Sequence, residues 1–313
     1  MRVVFMGTPD FAVGTLRAIV KAGHEVTGVI TQPDKPVGRK MELKPTAVKA
    51  AALELGLPVY QPEKVRETAC VEKIREMGAD VIVVAAFGQI IPKSILEMPK
   101  YGCMNVHASL LPKYRGAAPI QWAILDGEKV TGVTIMQMNE GLDTGDMIAT
   151  VEVPIRDDET GGSLFDRLAE SGADLLVQTL ARAEAGDLHP VPQPAESTTA
   201  YARMIRKNDG LIDWTKDAAY IERQIRAFDP WPAAFTKEGS KTLKIWKADK
   251  NADAGGDATA APGTVLGSDK NGIRVQTGDG ILRITELQLE GKKRMKAADY
   301  LRGRAIEAGE KLG

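Results

Sequence analysis

The run Arg2-Val-Val-Phe-Met-Gly-Thr-Pro-Asp-Phe-Ala12, followed by Gly23 and then Glu25-Val-Thr-Gly-Val-Ile30, decides the fold. A strand-length apolar run, an amphipathic stretch over 11–21, a glycine stop and a second strand-length run make a βαβ unit, whose strands lie parallel in one sheet. The alternation continues outward with a helix over 46–55 stopped by Gly56, a short strand at Val59 and a helix over 64–77. The strand that follows, Val81-Ile-Val-Val-Ala-Ala-Phe87, is apolar throughout, as a parallel strand covered on both faces must be. The class is therefore α/β with a mostly parallel sheet.

The first turn, Gly7-Thr-Pro-Asp-Phe-Ala12, stands where a dinucleotide site would need G-x-G-x-x-G. Pro9 lacks an N–H and cannot bring bare backbone onto a pyrophosphate, so NAD chemistry is disfavoured. Thr8 is expected to cap a helix that has Pro9 at its first position. No Walker lysine pattern occurs elsewhere.

Beyond the corner Phe87-Gly-Gln-Ile-Ile-Pro92, a strand over 103–107 runs into the polar stretch Asn105-Val-His-Ala-Ser-Leu-Leu-Pro-Lys-Tyr-Arg-Gly-Ala-Ala-Pro119. Alternate side chains of an extended segment share a face, which directs Asn105, His107 and Ser109 toward one cleft. A second polar island, Asn139-Glu-Gly-Leu-Asp143-Thr-Gly-Asp146, follows the strand pattern 131–138, and a further strand over 148–154 and a helix over 163–185 complete this part. Of the three histidines, His24 follows a helix-to-strand turn and His189 lies among prolines, which leaves His107 for chemistry. The bland alternatives are a hydrogen-bonded histidine at a strand end and a turn aspartate bonding its own backbone. Ser109 with His107 and Asp143 raises a serine hydrolase, against which Leu110, Leu111 and Pro112 stand in place of a G-x-S-x-G elbow.

A chain of 313 residues exceeds one ordinary core, and 43% apolar residues supply two. The segment 187–199 carries three prolines and reads as a semi-rigid linker. After it come one helix over 218–226 and strand patterns at 241–247, 263–268, 273–277 and 281–289, separated by Lys270-Asn-Gly272 and Gly278-Asp-Gly280, as in a small barrel; residues 254–261 read as a flexible loop within it. The expected division is a catalytic domain over 1–189, a linker over 190–206 and a second domain over 207–313. Residues 1–202 hold 20 Lys and Arg against 26 Asp and Glu, whereas 203–313 hold 21 against 16, so the basic excess sits where a polyanion-gripping module would. Two distant cysteines, Cys70 and Cys103, argue for a reducing compartment and against a thiolate metal site. No apolar run approaches the ~20 residues of a membrane span, and the expected location is the cytoplasm.

The run from Asn105 to Pro119, with Gly132-Val-Thr-Ile-Met-Gln-Met-Asn-Glu-Gly-Leu-Asp143-Thr-Gly, resembles the folate-dependent formyltransferases. The similarity extends over nearly the whole chain. Thr8-Pro-Asp-Phe11, Thr31-Gln-Pro-Asp34 and Ala227-Phe-Asp-Pro-Trp-Pro232 point to the branch that formylates methionyl-tRNA. The resemblance implies a Rossmann-like formyltransferase domain followed by an OB-like barrel, and transfer of a formyl group from 10-formyltetrahydrofolate to the methionine amine of initiator methionyl-tRNA, with no metal, in a monomer. It implies catalytic Asn105, His107 and Asp143, and a folate site lined by Phe87, Gly88, Gln89, Ile90, Ser109, Leu110, Leu111 and Pro112. On composition the charged loop 32–45 is a solvated connection; the resemblance instead assigns Lys35, Arg39, Lys40 and Lys44, with Lys207, to tRNA, Arg39 engaging the end of the acceptor stem. An amino sugar nucleotide as acceptor, or a non-catalytic RNA-binding role, are the alternatives.

Formyl transfer from a folate nitrogen to an amine passes through a tetrahedral oxyanion and moves a proton from nucleophile to leaving nitrogen. The Asn105 amide and the His107 imidazole are suitable donors to the oxyanion, and Asp143 is a suitable proton relay.

Overall fold

The computed structural model describes residues 1–37, 41–250 and 260–313. These form two compact units, one of Met1–Pro119, Val130–Pro154 and Phe165–Ala202, the other of Ile120–Lys129, Ile155–Leu164 and Arg203–Gly313.

In the first unit the strands are β1 (Arg2–Gly7), β2 (Glu25–Ile30), β3 (Lys35–Val37), β4 (Glu42–Lys44), β5 (Val59–Tyr60), β6 (Val81–Ala85), β7 (Cys103–His107), β8 (Val130–Gln137) and β9 (Met147–Pro154). Seven of them form one sheet in the order β5-β2-β1-β6-β7-β8-β9. Pairing is parallel from β5 to β7 and antiparallel for β8 and β9. The central strands β6 and β7 are buried at every position; β6 reads accordingly as an unbroken apolar run, whereas β7 carries the polar Asn105 and His107. Helices α1 (Asp10–Lys21), α2 (Ala47–Glu54), α3 (Thr68–Glu76) and α4 (Lys93–Leu96) connect the parallel strands. Of the two helices that follow, α5 (Pro119–Asp126) falls in the second unit from Ile120 on and α6 (Gly161–Glu184) in the first unit from Phe165 on. The chain leaves β1 toward β2 on one side and returns to β6 on the other. The β1/β6 boundary is thus the switch point, beyond whose carboxyl ends open α/β sheets bind ligands.

Four local expectations are corrected. Thr8 does not cap α1: the cap position is Pro9, without a side-chain bond, and the Thr8 hydroxyl donates to the Phe87 carbonyl at 3.0 Å. The helix expected over 64–77 begins at Thr68, because the buried Val65 gives its N–H to the Gln89 side chain at 2.8 Å instead of to a helical turn. The basic loop contains a hairpin, β3 against β4, which prolines and charge had hidden. Residues 191–202 do not simply pass between domains. Val191 exchanges backbone hydrogen bonds with Met147, and the Ala202 N–H donates to Arg115.

The second unit holds a 3-10 turn at Lys207–Gly210, α7 (Ala218–Ala227), β10 (Ala234–Glu238), β11 (Lys241–Asp249), β12 (Val265–Asp269), β13 (Gly272–Gln276), β14 (Ile281–Leu289), β15 (Met295–Lys296) and α8 (Ala297–Gly303). Its antiparallel sheet runs β10-β11-β14-β13-β12, with β15 on β14. Leu312 bridges to Glu238 on β10 and Lys311 to Thr264 beside β12, an arrangement consistent with an OB-like barrel. Inward residues of the strands, among them Leu243, Ile245, Val275, Leu282 and Leu287, pack with Ile221 and Ile225 of α7 into a separate apolar core. Strands β10 and β15 and helix α8 add to the elements read from sequence.

Among the described residues no helix is long and apolar enough to cross a membrane. None of their His, Cys, Asp and Glu side chains gather in threes as a metal would require.

Candidate active site

Strand β7 delivers Asn105 and His107 to one face by its two-residue period, and both are buried, with 9% and 6% of their surface exposed. The register sets Gln137, the end of β8, beside Met104, away from His107. The connection 138–146 nevertheless returns along the sheet, and the Asp143 Oδ1 stands 3.8 Å from His107 Nδ1. Its other carboxylate oxygen accepts the Gly116 N–H at 2.9 Å. Asp143 adopts a left-handed φ of 54°, a conformation that costs a non-glycine residue about 1 kcal/mol or more and persists only where the surroundings impose it.

His107 Nε2 lies 3.1 Å from the Tyr114 carbonyl oxygen, which can only accept, so Nε2 carries a proton. The neutral ring then presents its Nδ1 lone pair on the Asp143 side, and a proton acquired there would lie between imidazole and carboxylate. The loop supplying Tyr114 is fixed from several directions. Tyr114 N–H donates to Thr199 Oγ1 at 2.7 Å, Pro112 accepts from Ser197 Oγ at 2.6 Å, and Gly116 runs so close to Ala202 that a Cβ would stand 2.5 Å from its carbonyl oxygen.

Ser109 does not join this pair. Beyond the end of β7 it is fully buried and its hydroxyl donates to the Lys113 carbonyl at 2.6 Å, while both ring nitrogens of His107 face other groups. A serine nucleophile activated by His107 is therefore not built here. Ser109 contributes its backbone: its carbonyl accepts from Thr134 Oγ1 at 2.7 Å, and the same hydroxyl accepts the Leu111 N–H at 3.1 Å. Thr134, fully buried on β8, thus shapes the loop that presents Leu110, Leu111 and Pro112.

The corner after β6 lies at the switch point. Gln32 Nε2 donates to the carbonyls of Phe87 and Gly88 at 3.0 and 3.2 Å, adding to the bond from Thr8. Gln89 is turned to Val65, and Ile90 is 76% exposed. Lys35 donates to Gln32 Oε1 at 3.1 Å; Lys44 on β4 and Lys207 at the start of the 3-10 turn are exposed. Arg39 and Lys40 lie outside the described residues.

Sequence reasoning passed over Gln32, Thr134, Arg115 and Gln193. Thr134 carried one signal, a polar residue inside an apolar strand. The others sit in connections where polar residues are ordinary, and only their partners, distant in sequence, distinguish them.

With this geometry in hand, residues 1–180 match the family described as formyl transferase, and residues 204–305 match the formyl transferase C-terminal domain. The chain is 56% identical over 309 residues to a methionyl-tRNA formyltransferase of Agathobacter rectalis, covering 99% of this chain and 98% of that protein. It is 51% identical over 313 residues to the Bacillus subtilis methionyl-tRNA formyltransferase, covering 100% and 98%. Among solved structures, a sugar 3N-formyl transferase, WlaRD, determined in the presence of dTDP and 5-N-formyl-THF, superposes with a TM-score of 0.66 at 22% identity over 94% of this chain and 99% of its own, a likeness of fold.

Proposed function

The chain belongs to the formyl transferase family, and from that premise we propose that it transfers the formyl group of 10-formyltetrahydrofolate to the amino group of methionyl-initiator-tRNA. The observation that carries this reading is end-to-end identity of 50% and more to methionyl-tRNA formyltransferases, in a chain that also brings His107 and Asp143 to 3.8 Å.

The methionine amine attacks the formyl carbon, the carbonyl π pair becomes an oxyanion, and collapse expels the folate N10 nitrogen, which takes up the proton the amine releases. The Asn105 amide stabilises the oxyanion, and Asp143 with His107 Nδ1 moves the proton, the Nε2–H of His107 being already held by the Tyr114 carbonyl. No covalent enzyme intermediate is needed, in keeping with a Ser109 hydroxyl already committed to Lys113. Phe87, Gly88, Gln89 and Ile90, with Ser109, Leu110, Leu111 and Pro112, line the folate. The Gln32 amide supports this assignment, because it pins the corner whose backbone would meet a polar heterocycle. Lys35, Lys44 and Lys207, together with Arg39 and Lys40, bind tRNA. In this reading residues 1–189 are catalytic, the connecting stretch 190–206 is bonded to them through residues 191–202, and 207–313 hold tRNA by sequence-independent attraction. The protein acts as a cytoplasmic monomer.

Acceptor competition tests the proposal. Supplied with a labelled formyl donor and a mixture of methionyl-tRNA and a dTDP-linked amino sugar, the protein should label the tRNA fraction alone. Label in the sugar would replace the acceptor, and label in neither would remove the reading.

A further inference from the structure

Gln193 lies in the proline-rich stretch after α6, and its primary amide is fully engaged. Its Nε2 donates to the carbonyl of Asp143 at 3.0 Å and to that of Gly145 at 2.6 Å. Its Oε1 accepts from Arg115 Nε at 3.0 Å, and Arg115 spends its remaining nitrogens on the carbonyls of Ala195 and Pro194 at 3.2 and 2.8 Å. One side chain therefore joins the turn that carries Asp143 to the loop that carries Tyr114 and Gly116. Those are the two segments that meet His107.

We infer that Gln193 is a positioning residue for the transfer step: its amide holds the left-handed Asp143 turn so that the carboxylate stands opposite His107 Nδ1. The inference rests on the proposed function and adds a part of the site that lies outside the catalytic strands. The amide cannot be reversed. Flipped, it would set its oxygen against two carbonyl oxygens and its N–H groups against a guanidinium. The turn is also closed by Asn139, whose Oδ1 accepts from the Gly141 N–H and Thr144 Oγ1, and by the Gln137 N–H to the Asp146 carbonyl. At Asp143 itself, however, the carboxylate makes one bond to the backbone, at Gly116, and Gln193 is the side chain that holds its carbonyl. Prolines at 190, 192 and 194 hold the segment extended, which delivers Gln193 without the entropy a flexible linker would lose. The segment after α6 is thus a component of the active site.

Gln193→Glu is the informative variant, because it keeps size and an acceptor for Arg115 but has no N–H to donate at neutral pH. With saturating 10-formyltetrahydrofolate and methionyl-tRNA, kcat should fall by about 10- to 100-fold, as expected for a catalytic group displaced by about 1 Å, while both KM values stay within about threefold. In an Asp143→Ala background the same change should remove less than about a further twofold, since a residue that acts through the carboxylate has nothing left to position. In the folded protein without substrates, amide exchange of Gly116 should accelerate, because its acceptor is no longer held. A kcat within twofold of the unaltered enzyme, an equal loss in the Asp143→Ala background, or unchanged Gly116 exchange would overturn the inference. Absence of formyl transfer by the unaltered protein would count against the proposed function instead, and Gly116 exchange would still decide the role of Gln193.

Discussion

His107 Nδ1 stands 3.8 Å from Asp143 Oδ1 while its Nε2 is tied at 3.1 Å to the carbonyl of Tyr114. One edge of the ring is therefore fixed and the other is left to the carboxylate, without a direct hydrogen bond between them. This asymmetry suits a group that must gain and lose a proton during a reaction while keeping its orientation.

Asp143→Asn retains an oxygen that can accept the Gly116 N–H, removes the charge and puts an N–H donor in place of the oxygen that faces His107. Measured at saturating substrates, kcat should drop by roughly 10²- to 10⁴-fold, and His107→Ala should fall in the same range. The thermal unfolding midpoint should change little for Asp143→Asn. Near-normal turnover in either folded variant would remove that residue from the chemistry.

Gly132 on β8 has no room for a side chain: a Cβ would stand 2.0 Å from the Val151 carbonyl oxygen and 2.6 Å from Leu110 Cδ2. Gly132→Ala should destabilise the protein by roughly 1–3 kcal/mol, because a backbone atom must yield. Displacing Leu110 should also weaken binding of the formyl donor. Urea midpoints and donor titration by fluorescence check the two effects, and an unchanged donor affinity would separate Leu110 from the folate site.

Both cysteines are buried, and burial pushes the Cys103 thiol up to about 12 and raises that of Cys70. Thiolate is the reactive form, so neither should react with a disulfide reagent at pH 8 while the chain is folded, and both should react in denaturant. Rapid labelling of the native protein would show that one of them reaches solvent.

In the second unit Arg294 grips Glu286 through two hydrogen bonds of 2.5 and 3.2 Å and holds its carboxyl below the usual glutamate range, against the opposing effect of burial. A carboxylate whose pKa is depressed on folding stabilises the folded state above its unfolded value of about 4.3, and loses that contribution as pH falls through the folded value. Arg294→Ala should therefore lower the unfolding midpoint at pH 7, with the difference from the unaltered protein narrowing below about pH 4. Part of it should remain, because Arg294 also stacks 4.7 Å over the Trp246 ring. A difference independent of pH would assign the whole effect to stacking.

Where burial is uniform, the fold was legible. Strand β6 has both faces covered and is apolar without interruption, β1 is so after its exposed Arg2, and Asn105 and His107, which break the pattern of the buried β7, point to the candidate site. Strand β10 shows why other elements were not. It ends in Glu238, a buried carboxylate that breaks the apolar pattern and is tolerated because Tyr300 donates to it at 2.7 Å and Arg304 at 2.5 Å, from more than sixty residues away. The described side chains of β3 and β4 are exposed, so no periodicity announced the hairpin. In the candidate site, Asn105 and His107 were legible as polar residues at the end of a strand and Asp143 as part of a polar island after one. Gln193 and Thr134 were not, since their roles exist only in the bonds they make across the fold.

The most direct measurement is one incubation of the protein with 10-formyltetrahydrofolate and methionine-charged initiator tRNA, with charged elongator tRNA alongside, followed by release and identification of the amino acid. Formylmethionine should appear from the initiator and at most marginally from the elongator, and Asp143→Asn should suppress it by roughly 10²-fold or more. Failure to formylate either tRNA would contradict the account.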